Sequence, residues 1–339
     1  MKCVKIPIKK AQQIKEYLIK NRLLNNDYAF LKDKDYFYFP LKSNIPVKKI
    51  KSYSITNKKL KKKDKQKSLK ETLKKKLTKK ELEKLKKSYD VVGTIAILEI
   101  DDELKRKEKI IAKILLKLRK NVKTVLRKVN GRKGTFRLQE YKFITGEKKF
   151  ETLYKENNIR LKVNLKNMYF SPRLSNERKR IASLVKKNED VLVMFSGCAP
   201  FPVVIAKNSK AKEIYGVEIN PEAHSYGEEN IKLNKIKNIK LFCGDVKKIV
   251  PKLNKFNRIV MPFPGEGLHY LDIAVKASKK NATIHFYSFL DEKDIPKKAY
   301  NEIKKICNEL NKNYKILRHV KVGQFSPRKY RVCVDFKIT

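Results

Sequence analysis

Apolar and polar positions change rhythm several times along this 339-residue chain, and each change marks an element. The clearest passage runs from Asp190 to Asn220. An apolar run, Val191 to Phe195, leads into the small residues Ser196-Gly-Cys-Ala199. A helical stretch follows, then a second apolar run that ends at Glu218. Strand, tight loop, helix and strand in that order predict the first βαβ unit of a nucleotide-binding α/β domain. Beyond it the pattern predicts a helix over 223–233 and a strand over 238–242 that closes at Asp245. A further strand runs from Arg258 into the rigid loop Met261-Pro-Phe-Pro264. A strand over 282–289, a helix over 295–310 and an antiparallel hairpin of 314–322 with 331–338 complete the segment.

Upstream, a helix is predicted over 9–23 and a hairpin of 28–31 with 36–41. Residues 57–87 carry Leu69, Leu73, Leu77, Leu82 and Leu85 at roughly helical spacing in a lysine-rich background. That predicts either a basic bridging helix or a solvated linker. Residues 89–100 read as a strand pair or bulged strand and 105–119 as a helix, with strands over 124–129, 134–138 and 158–163. Ser175 is placed to cap a helix whose first turn carries Glu177. The divisions this suggests are a small domain over 1–56, a linker over 57–87, a middle domain over 88–167 and the α/β domain over 168–339.

Charge adds a partner to this picture. Lys and Arg number 84 against 35 acidic residues, a formal net charge of +49, which favours a polyanion such as nucleic acid. The five cysteines form no Cys-x-x-Cys pair, and His224, His269, His285 and His319 show no metal spacing, so neither a disulfide framework nor a metal is expected. No signal segment or long apolar run is evident, and a soluble cytoplasmic protein without membrane contact is expected.

The loop chemistry narrows the ligand. A dinucleotide requires Gly-x-Gly-x-x-Gly to bring a helix N-terminus onto pyrophosphate, but here the second glycine is Ala199 and the third is absent. S-adenosylmethionine carries no phosphate and tolerates such a loop. Its ribose would use Glu218 and its adenine the Asp245 region. The candidate donor-binding residues are Phe195, Ser196, Gly197, Ala199, Glu218, Ile219, Asp245, Val246 and Met261. Met261, Pro262, Phe263 and Pro264 stand where methyltransferases acting on planar bases hold their target.

These residues carry a resemblance. The segments Phe136-Arg-Leu-Gln-Glu-Tyr-Lys-Phe-Ile-Thr-Gly-Glu147, Tyr169-Phe-Ser-Pro-Arg-Leu-Ser-Asn-Glu-Arg178, Met194-Phe-Ser-Gly-Cys-Ala-Pro-Phe201 and Val217-Glu-Ile-Asn-Pro-Glu-Ala223 belong together with Phe325-Ser-Pro-Arg328 and Val334-Asp-Phe-Lys-Ile338. In them the chain resembles the archaeal and eukaryotic tRNA (guanine-37-N1)-methyltransferase family along its whole length. The resemblance implies a Rossmann-like class I methyltransferase domain preceded by two smaller α/β (α+β) RNA-binding domains, a monomer, and tRNA gripped at its anticodon loop and corner. It implies Glu177 as general base for guanine N1 and Arg137 as the cation at O6. Arg132, Lys133, Arg173, Arg178 and Arg328 are candidates for RNA contacts.

Three departures stand out. The family's Asp before Met-Phe is Val193, its second loop glycine is Ala199, and its Asn-Leu-Pro is replaced by Met261-Pro-Phe-Pro264. They resemble a divergent archaeal subgroup that also, or instead, methylates C7 of the tricyclic base 4-demethylwyosine at the same tRNA position. A monofunctional C7-methyltransferase, an aminocarboxypropyl transferase using the same donor, and a non-catalytic RNA-binding protein remain open alternatives. A DNA-directed enzyme would need a major-groove reader, and none is visible.

Overall fold

The computed structural model describes residues 1–42, 53–63, 68–86, 88–131 and 134–339. Residues 1–71 and 72–339 form two compact units. The division falls inside the lysine-rich stretch over 57–87.

In the first unit, β1 (Lys2–Pro7) pairs antiparallel with β3 (Tyr36–Pro40) on one side and with β4 (Ser54–Asn57) on the other. The hairpin partner β2 (Leu31–Lys32) adds to β3, and α1 (Ala11–Lys20) lies over the sheet through Leu18. The aromatic run of β3 is partly core, with Tyr38 and Phe39 buried. Lysines cover its outer rings: the Lys5 ammonium lies 3.9 Å from the centre of Tyr36 and that of Lys58 5.0 Å from Tyr38.

The predicted bridging helix is instead two short helices, α2 (Leu69–Leu73) and α3 (Lys79–Lys84). Thr78 interrupts them with a capping box: its hydroxyl accepts from the Glu81 amide, and the Glu81 carboxylate accepts from the Thr78 amide. Next come β5 (Asp90–Val92), β6 (Ile95–Leu98), α4 (Glu108–Leu118), β7 (Thr124–Lys128) and β8 (Tyr141–Gly146), whose strands form a sheet in the order β5-β6-β7-β8. The strand expected over 134–138 is a turn, and the strand lies further on at β8. Two glycines and the left-handed backbone of Arg137 (φ 52°) favour the turn there.

A hairpin of β9 (Glu151–Glu156) and β10 (Ile159–Asn164) leads to α5 (Ser175–Leu184). Ser175 is the first helical residue and caps nothing; Leu174 occupies the N-cap. The α/β segment then runs β11 (Asp190–Met194), α6 (Pro200–Asn208), β12 (Glu213–Glu218), α7 (Pro221–Leu233), β13 (Ile239–Cys243), α8 (Val246–Ile249) and β14 (Phe256–Met261). It continues through α9 (Leu271–Lys276), β15 (Ser278–Asp291), α10 (Lys297–Glu309), β16 (Tyr314–Ser326) and β17 (Lys329–Ile338).

The strand order is β13-β12-β11-β14-β15-β17-β16, parallel throughout except for β17, which runs antiparallel to both its neighbours. The strand order reverses between β11 and β14, and such a switch point opens a crevice at the strand C-termini. The middle and α/β segments do not have separate cores. Ile95 and Leu126 belong to the same apolar cluster as Leu161, Val193 and Val203. The exposed edge of β10 is met by side chains from α7. Asn230 accepts from the Lys162 amide at 2.6 Å and donates to its carbonyl at 3.1 Å, and Asn234 does the same for Arg160 at 2.9 and 2.6 Å.

The loop after β11 departs most from ordinary backbone. Phe195, Gly197 and Ala199 all have positive φ, 58°, 57° and 61°. At Ala199 the methyl group is fully buried in a left-handed residue, at a cost of roughly 1–2 kcal/mol. Ala199→Gly should therefore stabilise the protein by about 0.5–1 kcal/mol after the methyl burial is subtracted. Urea denaturation checks this, and a loss of stability would show that methyl packing outweighs the strain.

Candidate functional site

At the C-terminal ends of β11–β14 lies a cleft of about 380 Å³, within the usual range for small-ligand sites. One wall is the loop after β11, with Phe195 and Gly197. The second is the end of β12 with Glu218, Ile219 and Asn220, and the third is Asp245-Val246 after β13. Pro262, Phe263, Pro264 and Glu266 close it after β14, and Arg137 reaches in from the turn before β8.

Most residues expected to bind the donor meet here: Phe195, Gly197, Glu218, Ile219, Asp245 and Val246 all line the cleft. Ser196, Ala199 and Met261 do not. Ala199 and Met261 are fully buried, and the buried Ser196 hydroxyl points away from the lining, next to Gly216. Their role is to shape the loop and the strand end from behind.

Glu218 lines the cleft at the end of β12. Its two oxygens accept from the Gly197 amide at 2.7 Å and the Asn220 amide at 2.9 Å, tying the donor loop to the end of β12. Burial pushes its pKa up, while these backbone donors pull the other way. Each carboxylate oxygen keeps a second lone pair, so ribose hydroxyls can be accepted without breaking either bond. Asp245 caps α8 through the Lys247 amide at 2.9 Å. Gly197 faces open space, since an added methyl would meet only the Tyr169 carbonyl, at 3.8 Å. These are the features an adenosine-bearing donor requires: carboxylates at the ends of β12 and β13 and a bare backbone loop between them.

The base side of the cleft is aromatic. Phe195 stacks on Phe263 with centroids 4.7 Å apart, and Tyr270 meets Phe195 edge-on at 4.9 Å. The Arg137 guanidinium lies 5.0 Å from the Phe263 ring centre and packs so closely on Gly265 that a Cβ there would meet it at 2.4 Å. Among the described residues that guanidinium has no ion-pair partner.

Glu177, the expected general base, is not among the residues that line the cleft. Its carboxylate is buried, accepts from Arg180 Nε and Nη2, both at 2.7 Å, and takes the Tyr287 hydroxyl at 2.5 Å. Arg180 continues to Asp335 at 2.6 Å, Asp335 to His285 Nδ1 at 2.6 Å, and His285 Nε2 to Arg258 at 2.8 Å. Arg258 ends the chain on Glu189 at 2.7 Å. A guanidinium can only donate, so Nε2 accepts and Nδ1 carries the proton toward Asp335. His285, Cys333 and Asp335 lie close enough together to suggest a metal site. However, Arg180 and Arg258 flank them, and the ligand atoms are already engaged in hydrogen bonds.

The RNA candidates also divide. Arg178 is buried, with both nitrogens of its fork on Glu156, and serves packing and not RNA. Arg173 is half-exposed and tied to Asp90 at 2.7 Å. Arg328 is exposed at the β16–β17 turn. Arg132 and Lys133 lie outside the described residues. Pattern reading misses Tyr169, Glu266, Tyr270, Phe289 and Arg331, all cleft residues. Arg331 and Phe289 sit opposite each other in the β15–β17 register, and the hairpin pattern alone could have paired them.

Known proteins share this arrangement. Residues 152–317 match the TRM5/TYW2 methyltransferase domain, 69–149 the TYW2 N-terminal domain and 3–49 the tRNA methyltransferase 5 N-terminal domain. The tRNA (guanine(37)-N(1))-methyltransferase Trm5b of Pyrococcus abyssi is 33% identical over 99% of this chain and 98% of its own. The chain belongs to the TRM5/TYW2 methyltransferase family.

The tRNA (guanine(37)-N(1))/4-demethylwyosine(37)-methyltransferase Taw22 of Nanoarchaeum equitans is 34% identical over 73% of this chain and 98% of its own. Among solved structures, the complex of aTrm5 with tRNALeu matches at a TM-score of 0.73, with 35% identity and 99% of each chain covered. TYW2 of Methanocaldococcus jannaschii in complex with AdoMet matches at 0.57, with 26% identity over 74% of this chain and 99% of that one.

The buried relay makes stability depend on pH. Burial and Arg258 hold the His285 pKa below its ordinary value, so the folded state resists a proton that the unfolded chain accepts near pH 6.5. Asp335 is also held below its usual range, so its contribution persists above the unfolded value near 3.9 and is lost only in stronger acid. Stability should be flat from about pH 8 to 7 and decline from about pH 6.5 downward. Urea midpoints across that range measure it; a midpoint unchanged at pH 5 would mean His285 is charged in the fold.

Proposed function

We propose that this protein transfers methyl from S-adenosylmethionine to base 37 of tRNA, at N1 of guanine and also at C7 of 4-demethylwyosine. Relatives matched over nearly the whole chain are named tRNA (guanine(37)-N(1))-methyltransferases, and Taw22 is named for both bases. The observation that carries the choice of base is the aromatic slot of Phe195, Phe263 and Tyr270 with the Arg137 guanidinium, which has no ion-pair partner among the described residues, across it.

Bound in the Glu218–Asp245 half of the cleft, S-adenosylmethionine supplies an electrophilic methyl group on a sulfonium. The protein's own residues do the rest. Phe263 and its neighbours stack on the base, which must leave the anticodon-loop stack at a cost of a few kcal/mol. Arg137 donates to O6, where negative charge collects as N1 loses its proton. The slot has Pro262 where an amide side chain is usual in relatives, and a less polar floor suits a tricyclic base as well as guanine.

The exposed Arg328 and the half-exposed Arg173 contribute phosphate contacts, as do Arg132 and Lys133, with affinity that falls as salt rises. Residues 1–56 read the tRNA corner by shape. The enzyme acts as a soluble cytoplasmic monomer, and none of its described helices is long and apolar enough to cross a membrane.

Labelled donor presented with two tRNAs, one bearing plain guanine-37 and one the tricyclic base, should give transfer to both. Transfer to neither would end this reading, and transfer of an aminocarboxypropyl group would replace it. Arg137→Ala should lower the single-turnover rate on guanine about 10²–10³-fold while donor affinity by calorimetry stays within about twofold. An unchanged rate would remove Arg137 from the reaction.

A further inference from the structure

The edge strand β16 falls out of step with β17 at three places, and the last of them reaches a cleft residue. There Gln324 faces Tyr330 and Ser326 faces Lys329, so Phe325 is an extra residue with no cross-strand partner. A bulge of this kind re-aims a side chain. The Phe325 ring spans β17 and meets Phe289 of β15, with centroids 4.1 Å apart and planes tilted by 33°. Even so, 52% of Phe325 remains exposed. A single apolar residue at the surface is ordinary. This one differs in being aimed by a bulge and continuous with the cleft.

Phe289 links this ring to the base slot. Its amide donates to the Pro264 carbonyl at 3.3 Å, on the loop that carries Phe263. Arg331, opposite Phe289 on β17, holds its guanidinium 5.5 Å from the Phe289 ring centre, and both residues line the cleft. Arg331 donates to the Tyr169 hydroxyl at 3.4 Å, while its buried Nε has no hydrogen-bond partner among the described residues. The turn at Pro327-Arg328 is pinned by the Glu292 amide, which donates to the Arg328 carbonyl at 2.8 Å. The Arg328 side chain is exposed there. Ring faces in succession beside cations are the means by which proteins hold unpaired nucleotides.

We infer that Phe325, backed by Phe289, stacks on the base of a nucleotide adjacent to base 37 in the anticodon loop. This inference rests on the proposed methylation of base 37. When that base leaves the stack its neighbours lose a partner, and the loss is part of the cost of extrusion. A ring face beside the cleft gives one neighbour a partner again. Any of the four bases fits, because each has a π-face. Phe325 therefore binds without selecting a sequence and lowers the cost of presenting base 37. The donor half of the cleft, built on Glu218 and Asp245, does not involve it.

The test is equilibrium binding of the full chain to one tRNA, either intact or lacking the base at position 36 or at position 38. Donor affinity and single-turnover methyl transfer are recorded alongside. Phe325→Ala should weaken binding of intact tRNA about 5–50-fold, and Phe325→Trp should stay within about twofold of the parent. Donor affinity should stay within about twofold in both variants. Removing the base that Phe325 covers should weaken the parent by a similar factor and cost Phe325→Ala nothing further, which identifies the neighbour. A Phe325→Ala protein that binds intact tRNA within about twofold of the parent overturns the inference. So does a loss of equal size on the intact tRNA and on both base-deleted ones, since Phe325 would then only shape the hairpin. A parent that shows the expected binding pattern but transfers no methyl to guanine-37 or the tricyclic base refutes the proposed function alone.

Discussion

A chain of alternating charges runs beneath the cleft, from Glu189 through Arg258, His285, Asp335 and Arg180 to Glu177 and the Tyr287 hydroxyl. It draws on α5, the residue before β11 and three strands, β14, β15 and β17. Most of these groups are nearly or fully buried, so each depends on its neighbours for the solvation that water no longer provides. Buried ion pairs seldom add much net stability over apolar packing, but removing one partner leaves the next charge stranded at a cost of about 3–5 kcal/mol. The chain therefore acts as a register lock. It fixes α5, and with it the Tyr169–Arg173 segment, against the antiparallel end of the sheet. Strand alternation then places Phe289, two residues beyond Tyr287, and Arg331, four residues before Asp335, at the cleft.

Above that lock the cleft has two characters. The donor half is built from backbone: three positive-φ positions at alternate residues and a carboxylate that binds amides on both sides of it. The base half is built from side chains that pack on one another, Phe195 being shared by both. Because Phe195 belongs to the donor loop and stacks on Phe263, a change in either half is transmitted to the other through one ring. Val193, Ala199 and Pro262 stand at the roots of these same two loops.

The βαβ unit, the succession of strands and the donor-side residues are legible in the sequence because they depend on local patterns: apolar runs, small residues and an acid at a fixed spacing. The surroundings of Glu177 escape such reading for the opposite reason. Its spacing to Arg180 is local, but Tyr287 lies 110 residues away and Asp335 is reached only through Arg180, and nothing in the helix signals either. The turn at Gly134–Arg137 resembles a strand by composition, and only its glycine speaks against it. Arg178 looks like a surface cation because its partner Glu156 sits on a separate hairpin.

The two asparagines of α7 have one more consequence. A primary amide presents the same donor and acceptor as a peptide group, so Asn230 and Asn234 together imitate a neighbouring strand for β10. The imitation works because four residues of helix advance about 6.0 Å and two residues of strand about 6.6 Å, nearly the same step. A helix thus closes an open sheet edge that would otherwise invite another chain to add to it. Asn230 also donates to the Cys198 carbonyl at 3.0 Å, so the amide that shields the hairpin is the one that anchors the donor loop. Protection against aberrant self-association and the shape of the donor loop thus share one side chain, Asn230.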